Sequence, residues 1–245
     1  MEQSTVILKK SSSGIARLII NRPKLHNAFN DDIMQELLAR LREIQEDPKS
    51  RVVILQSEGT NFSAGADLTW MKSKVGSSFE ENRADAFELA RLMRELYYFP
   101  KPVVCRVQGA AFGGALGLIS CCDIAVAAED ARFCLSEVRI GLVPAVISPY
   151  VIQAIGARAA RRYFLTAEKF NAVTARDLGL IHEVDTLAQL DSKVEGIAEG
   201  LLANGPQALS EAKNLIHTIA EKPLDDNLID YTADLIARIR VSDEA

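Results

Sequence analysis

The sequence predicts an α/β fold built on parallel strands. Three short apolar runs, Val52 to Gln56, Val103 to Val107 and Ile124 to Ala128, have the length and composition of buried strands. Stretches with helical periodicity separate these runs along the chain. A strand–helix–strand order of this kind is typical of right-handed parallel crossovers. We therefore expect a parallel sheet with helices packed against it.

Length, composition and charge limit the classes of protein to consider. The chain has 245 residues, 48% of them apolar and 25% charged, which suits one large α/β domain or a core with a small appendage. The formal net charge of −5 argues against nucleic acid as the main partner. The longest apolar run, around Ala110 to Cys122, is shorter than the roughly 20 residues that a membrane span needs. We expect this run to be a buried helix, and no membrane partner.

The cysteines and the N-terminal segment favour a cytoplasmic protein. The four cysteines lie in apolar stretches without the spacing of metal ligands, at Cys105, Cys121, Cys122 and Cys134. We interpret them as reduced core residues in a reducing compartment, and we predict no metal site. The segment MEQSTVILKK lacks the charged and apolar regions of a signal peptide.

Turn residues and helix caps define the elements of the N-terminal half. Val6 to Leu8 and Ile15 to Ile20 flank a serine-rich turn and predict a β-hairpin. Asn30 is a candidate N-cap for the amphipathic helix that follows it. Ser78 fits a capping box at the start of a further helix, which ends before the strand at Val103 to Val107.

The last quarter of the chain is predicted to be entirely helical. Asn204-Gly205 and Lys222-Pro223 divide it into segments. The change from alternating strands and helices to helices alone lies near residue 190. The sequence therefore predicts two parts, residues 1–190 with the functional site and residues 191–245 as a helical C-terminal region.

Two small-residue loops follow predicted strands. The strand Val52 to Gln56 leads into Phe62 to Leu68, and the strand Val103 to Val107 leads to Gly113-Gly114, where an apolar helix begins. Glycines at such a turn let the backbone approach a ligand, and a helix start offers free N–H groups. Two loops of this kind can supply a pair of backbone donors to one oxygen. The alternative interpretation of Gly113-Gly114 is close helix packing.

Glu137 is a lone carboxylate in an apolar stretch. It stands between Phe133-Cys134-Leu135 and Val138. An acid in such a setting is either a structural ion-pair partner or a catalytic group with a shifted pKa. The residues alone leave both interpretations open.

The chain resembles the enoyl-CoA hydratase/isomerase superfamily, the crotonases, over nearly its whole length. The matching stretches are Asn21 to Ala28, Phe62 to Leu68, Gln108 to Gly114, Cys122 to Ala125 and Phe133 to Leu142, in the order and spacing of that family. The resemblance implies a ββα superhelix with a helical C-terminal region for trimerisation. It also implies an acyl-CoA substrate, no cofactor, and a homotrimer or a dimer of trimers. Relatives commonly have a further C-terminal helix, which we expect residues 191–245 to lack.

The resemblance also implies roles for individual residues. The backbone amides of Ala66 and Gly114 would form an oxyanion hole for the thioester oxygen, and Glu137 would be the catalytic glutamate. The loop Lys24 to His26 would run along the nucleotide end of coenzyme A. The full set of expected substrate-binding residues is Lys24, Leu25, His26, Ala64, Asp67, Leu68, Lys72, Gly113, Gly117 and Arg139.

One departure from the family concerns the second carboxylate of its hydratases. These enzymes usually carry a second glutamate three residues after the oxyanion-hole glycine, and here that position is Gly117. Isomerisation needs one base that moves a proton between two carbons. Hydration would require Glu137 to act first as a base and then as an acid.

Further details favour a particular branch of hydratases. Gly109 to Leu118, Ser136 to Leu142 and Val146 to Tyr150 resemble the branch that contains methylglutaconyl-CoA and isohexenylglutaconyl-CoA hydratases, of leucine and acyclic terpene breakdown. Their substrates carry an extra carboxylate, for which Arg139 is a candidate partner. We therefore expect a hydratase. An enoyl-CoA isomerase with Glu137 as proton shuttle and a non-catalytic acyl-CoA-binding protein are the alternatives.

Overall fold

The computed structural model describes residues 4–220 and 222–244. The two predicted parts begin at residue 1 and end at residue 245, and both of these residues lie outside the described ranges. The strands are β1 Val6–Lys10, β2 Ile15–Ile20, β3 Val52–Ser57, β4 Val103–Val107, β5 Ala110–Phe112, β6 Ile124–Ala128, β7 Arg132–Cys134, β8 Phe170–Asn171 and β9 Glu183–Asp185. The helices are α1 Asp31–Glu46, α2 Leu68–Ser73, α3 Phe79–Tyr97, α4 Gly114–Cys121, α5 Ser148–Thr166, α6 Ala172–Asp177, α7 Leu187–Leu202, α8 Pro206–Ile219 and α9 Asp226–Arg240. Short 3₁₀ turns cover Pro23–Leu25 and Glu137–Ile140.

The larger sheet has the strand order β1-β2-β3-β4-β6-β9. Only its first pair, β1 with β2, is antiparallel, and this pair is the predicted hairpin. The remaining pairs, β2–β3, β3–β4, β4–β6 and β6–β9, are parallel. The predicted parallel α/β architecture is therefore confirmed. Because the carboxyl ends of parallel strands share one edge of a sheet, the loops that follow β2, β3 and β4 gather there.

Local signals place the helix starts where the sequence predicts them. The Asn30 side chain accepts a hydrogen bond from the amide of Ile33 at 3.1 Å and caps α1. Ser78 and Glu81 form a reciprocal capping box at the start of α3. These caps satisfy amides that have no partner within the helix, which fixes where each helix begins.

Helices cover both faces of the larger sheet. Alternate strand residues point to opposite faces, so Val53 and Leu55 of β3 join the main core, in which residues of α1, α3, α4 and α5 are buried. Val52 and Ile54 face the other side, where they share a cluster with α7 residues such as Val194. The predicted boundary near residue 190 falls inside α7, and this helix packs on the sheet. α7 therefore packs with the core sheet, and the division of the chain into two parts stays a prediction.

The last two helices expose apolar side chains. Ile216 of α8 is 63% exposed, and Ile229 and Ile236 of α9 are 64% and 48% exposed. Such a surface fits the predicted trimerisation region, and trimerisation stays a prediction. Within the described ranges, no helix has the length and apolar content needed to cross a membrane.

Candidate active site

Asn27 ties together the loops that follow β2 and β3. Its side chain is fully buried. Its Oδ1 accepts a hydrogen bond from the amide of Arg22 at 2.8 Å, and its Nδ2 donates to the carbonyls of Glu58 at 2.7 Å and Asn61 at 2.8 Å. Since buried backbone groups need partners, this one side chain determines how the two loops lie against each other.

Two further side-chain amides connect the loop after β3 to the segment after β4. Asn61 Oδ1 accepts from the amide of Ala110 at 2.8 Å. The buried Gln108 donates from Nε2 to the carbonyls of Ser57 at 2.9 Å and Gly59 at 3.1 Å. These two side-chain amides are not among the residues for which the sequence predicts a role. Gln108 opens one of the matching stretches and Asn61 directly precedes another, and these positions after strand ends were the available signal.

Asn27 provides a first test of how the loops are held. We expect Asn27→Ala to lower the free energy of unfolding by about 3 kcal/mol, because it leaves an amide and two carbonyls without their partner. Asn27 also has a φ of 55°, a left-handed conformation that costs an alanine roughly 1–2 kcal/mol more. Asn27→Gly removes only the hydrogen bonds and should lose less. Urea unfolding measures the free energy of unfolding of both variants. Wild-type stability in both would contradict the claim that Asn27 holds the two loops together.

In the loop after β3, the backbone amide of Ala66 has no hydrogen-bond acceptor among the described residues. Phe29 donates from its amide to the carbonyl of Gly65 at 2.8 Å, and the amide of Asp67 donates to the carbonyl of Phe29 at 2.8 Å. Ala66 lies between these two bonds, where extended backbone turns its N–H to the opposite side. Gly65 has a φ of 95°, and a Cβ there would lie 3.2 Å from the carbonyl oxygen of Phe112. The glycine permits this close approach.

The second loop brings Gly114 beside the first. Gly113 has a φ of 54°, and its amide donates to the carbonyl of Cys134 at 2.9 Å. A Cβ on Gly113 would lie 3.2 Å from Glu137 Oε1 and 3.9 Å from Gly65 Cα, so both loops and the carboxylate meet at this glycine. Gly114 is the first residue of α4, so its amide has no partner inside the helix.

Both predicted oxyanion-hole donors border one cavity. The cavity has a volume of about 730 Å³ and is bordered by Ala66, Gly114 and Glu137. Within the part of the chain that the structure describes, neither the amide of Ala66 nor that of Gly114 has a hydrogen-bond acceptor. Much of the remaining wall is apolar and includes Trp70 and Ile147. Two free donors in a cavity with a largely apolar wall can stabilise negative charge that develops on an oxygen.

The structure gives Glu137 no ion-pair partner among the described residues, and its predicted catalytic role stays a prediction. Its Oε2 is buried and has no hydrogen-bond partner among residues 4–220 and 222–244, and no salt bridge to it occurs there. Burial raises the pKa of the Glu137 carboxyl above its ordinary value of 4.5, and its own backbone amide opposes this shift. A partly buried carboxylate with one unpaired oxygen, beside two free amides, has the properties of a general acid or base.

The loop Lys24 to His26, predicted to run along the nucleotide end of coenzyme A, lies next to the loop that contains Ala64 and Ala66. Lys24, Leu25 and His26 are exposed. The amide of Ala64 donates to the carbonyl of His26 at 2.9 Å, and His26 Nδ1 lies 3.0 Å from Asn61 Nδ2. The structure thus brings these four predicted residues together, outside the cavity that holds Glu137.

The predicted residues of the α2 region have different positions. Lys72 is exposed, borders the cavity and has no ion pair in the described parts of the chain. Asp67 is the N-cap of α2 and accepts from two amides of its first turn at 2.8 and 3.2 Å. Asp67 also pairs with Arg22 at 3.0 Å, so its contacts hold the loop in place. Leu68 begins α2.

Two of the predicted substrate-binding residues, Gly117 and Arg139, lie outside the cavity. Gly117 is buried in α4, and a Cβ there would lie 2.4 Å from Ile147 Cγ2, so the space over it is filled by protein. Arg139 does not border the cavity, because its guanidinium donates to the carbonyl of Ala167 at 2.7 Å. Neither residue borders the cavity that holds Glu137, and their part in substrate binding stays a prediction.

The chain also matches known proteins along nearly its whole length. The family model described as enoyl-CoA hydratase/isomerase matches residues 10–239. A short-chain-enoyl-CoA hydratase of Clostridium acetobutylicum is 32% identical over 230 residues, which cover 93% of this chain and 87% of that protein. A peroxisomal Delta(3,5)-Delta(2,4)-dienoyl-CoA isomerase of Arabidopsis thaliana is 31% identical over 250 residues, covering 98% and 90%.

The solved structures agree with these matches. The crystal structure of an enoyl-CoA hydratase from Shewanella pealeana superposes with a TM-score of 0.95 at 47% identity, over 98% of this chain and 89% of that chain. This superposition confirms the predicted crotonase-like fold. With the free amides and the buried carboxylate in one cavity, these matches identify the chain as an enzyme of the enoyl-CoA hydratase/isomerase family.

Proposed function

We propose that the enzyme adds water to a 2-enoyl-CoA, and removes it in reverse, with Glu137 as the single acid–base group. The observation that carries this proposal is the meeting of two free amides and one unpaired carboxylate oxygen at the same cavity. A thioester oxygen held by the amides of Ala66 and Gly114 accepts charge as the reaction proceeds. Each such donor contributes roughly 2.7–4 kcal/mol in comparable sites.

The proposed reaction uses the Glu137 carboxylate twice. Polarisation of the thioester carbonyl makes the β-carbon electrophilic. Glu137 takes a proton from water while the water oxygen bonds to the β-carbon and the electron pair of the double bond moves to form an enolate. The protonated carboxyl then gives that proton to the α-carbon, which restores the carboxylate. The raised pKa of Glu137 supports both steps, because it brings its protonated and ionised forms closer in free energy at neutral pH.

The cavity wall favours an apolar acyl group. The resemblance predicts a carboxylated, branched substrate of leucine or terpene breakdown, for which Arg139 was the candidate partner. Arg139 instead contacts the carbonyl of Ala167. Of the two lysines that border the cavity, Lys74 already pairs with Asp31 at 3.3 Å and Asp85 at 2.8 Å. We therefore propose a 2-enoyl-CoA without a second carboxylate.

The remaining cations fit the coenzyme A part of the substrate. We place Lys24 and Lys72 near its phosphates, because both are exposed beside the loops that hold the thioester. The exposed apolar face of α9 supports the proposed homotrimer or dimer of trimers.

A specific observation supports isomerisation as a second candidate. The position of the second glutamate is Gly117, and Ile147 fills the space above it. A site with one carboxylate suffices to move a proton between two carbons of a 3-enoyl-CoA. The similarity to a dienoyl-CoA isomerase over 98% of the chain is consistent with this chemistry.

Three substrates separate these proposals. Purified enzyme is offered crotonyl-CoA, 3-methylglutaconyl-CoA and a 3-enoyl-CoA, and the products are separated by chromatography. We expect hydration of crotonyl-CoA and little turnover of the carboxylated thioester. If the enzyme isomerises the 3-enoyl-CoA and adds no water to either other substrate, the hydratase proposal is wrong and the protein is an enoyl-CoA isomerase. Inertness towards all three would indicate an acyl-CoA-binding protein.

The pH dependence of the reaction tests the state of Glu137. Hydration needs the ionised carboxylate, and burial holds the pKa of Glu137 above 4.5. We therefore expect kcat/KM to fall as the pH decreases through this raised pKa, so the acidic limb lies above pH 4.5. A pH profile of kcat/KM for crotonyl-CoA measures this limb. A limb at or below 4.5 would contradict the assignment of Glu137 as the base.

A further inference from the structure

Ile147 occupies the space above Gly117. It lies directly before α5, is 2% exposed and borders the cavity. A Cβ on Gly117 would lie 2.4 Å from Cγ2 and 2.8 Å from Cβ of Ile147, and 3.1 Å from Met93 Sδ. The two distances to Ile147 are shorter than the contacts that Cβ atoms make in real proteins. Ile147 and Met93 thus fill the volume in which a side chain at position 117 would begin.

In the proposed function, the contact between Ile147 and Gly117 lies close to the reacting acyl carbons. Gly117 follows Gly114 by three residues on α4, so both lie on the same face of the helix, about 4.5 Å apart along its axis. The amide of Gly114 marks the position of the thioester oxygen in the proposed function. Ile147, in contact with Gly117, therefore stands beside the acyl carbons that follow the carbonyl.

Ile147 forms a stiff part of the wall. Ile147 belongs to the same core cluster as Met93 of α3, which is fully buried. Its carbonyl accepts from the amide of Val151 at 3.1 Å, which fixes its backbone to the start of α5. A β-branched side chain has few χ1 rotamers, and a close-packed core leaves it no space to move into. A substituent on the substrate would have to displace the wall itself.

We propose that Ile147 determines specificity at the β-carbon: it leaves room for a hydrogen there and excludes 2-enoyl thioesters that carry a branch at this position. The inference rests on the proposed function for the position of the thioester. It narrows the substrate class to 2-enoyl-CoA thioesters that are unbranched at the β-carbon.

The test compares crotonyl-CoA with 3-methylcrotonyl-CoA, which differs by one methyl group on the β-carbon. In Ile147→Ala, the ratio of kcat/KM for the branched over the unbranched thioester should rise by about tenfold or more, since one methylene in a pocket changes specificity about 10–200-fold. Ile147→Val, which keeps more of the packing, should shift the ratio less but in the same direction. A ratio within twofold of wild type in both variants would overturn the proposal.

Ile155→Ala is the matched control. Ile155 lies on α5, is 7% exposed and does not border the cavity, so its truncation removes the same atoms from the same core. It should lower stability without changing the ratio. An equal rise of the ratio in Ile155→Ala would mean that general loosening explains the effect, and would overturn the proposal.

Equilibrium binding separates this inference from the proposed function. If the wild type hydrates neither thioester, the proposed function fails, and the steric claim is tested with the saturated analogues butyryl-CoA and 3-methylbutyryl-CoA. Titration calorimetry should then show tighter relative binding of the branched analogue to Ile147→Ala than to wild type. An unchanged ratio of Kd values would overturn the claim about Ile147.

Discussion

Replacement of Glu137 by glutamine is expected to lower kcat/KM for the hydration of crotonyl-CoA by a factor of about 10²–10⁴. Glutamine keeps the shape of the side chain but can neither take a proton from water nor return it to the α-carbon. Oε2 of Glu137 has no hydrogen-bond partner among the described residues, so the exchange should break no bond of that atom that holds the fold together. Initial rates from the loss of enoyl-thioester absorbance measure the effect.

A control at Glu129 shows whether the loss is specific to the cavity. Glu129 is an exposed glutamate directly after β6 and does not border the cavity. Glu129→Gln makes the same chemical change and should retain wild-type activity. Activity of Glu137→Gln within about threefold of wild type would mean that another group moves the proton.

Stability measurements distinguish a loss of activity in Glu137→Gln from a loss of folded protein. Because burial raises the pKa of Glu137, the native state binds a proton more readily than the unfolded chain. Wild type therefore loses stability as the pH rises from 4.5 through the raised pKa, and at pH 7 the buried charge destabilises it. Glu137→Gln carries no such charge and should be at least as stable as wild type at pH 7. Thermal unfolding at several pH values measures this difference.

Local signals explain why most elements could be predicted from the sequence. A cap such as Asn30 and a capping box such as Ser78 with Glu81 involve residues three positions apart, so their effect is visible in the chain itself. The boundary predicted near residue 190 lies inside α7, and local signals could not show this. Helical periodicity in α7 is the same whether this helix packs on the core sheet or stands apart, and only contacts with distant strands decide between the two.

The site shows the same division between local and long-range information. The loops that contain Ala66 and Gly114 could be predicted to have free amides, because a glycine turn and a helix start leave N–H groups without partners close by in the sequence. No local pattern reveals that Asn27 is buried, because polar side chains in loops are usually solvated. The sequence also shows that Gly117 lacks a carboxylate, but Ile147, which fills the space, lies thirty positions further along the chain.

Gly114→Pro is expected to reduce kcat/KM by at least about 10²–10³-fold, the effect of losing one oxyanion-hole donor. Proline has no N–H, and a ring carbon would stand where the amide hydrogen points. The fold should tolerate the change, because Gly114 is the first residue of α4 and proline is favoured at that position. Gly113 before it has a φ of 54° and a ψ of −122°, outside the helical region that proline disfavours in its predecessor.

Gly114→Ala separates the loss of the N–H from the addition of atoms. Alanine keeps the amide, and its Cβ would lie 3.5 Å from Phe29 Cδ2, an ordinary van der Waals contact. We expect this variant to lose far less activity than Gly114→Pro, with similar thermal stability in both. Equal losses would assign the effect to crowding at Phe29. Retained activity in Gly114→Pro would contradict the oxyanion hole itself, since the thioester oxygen would then need only the amide of Ala66.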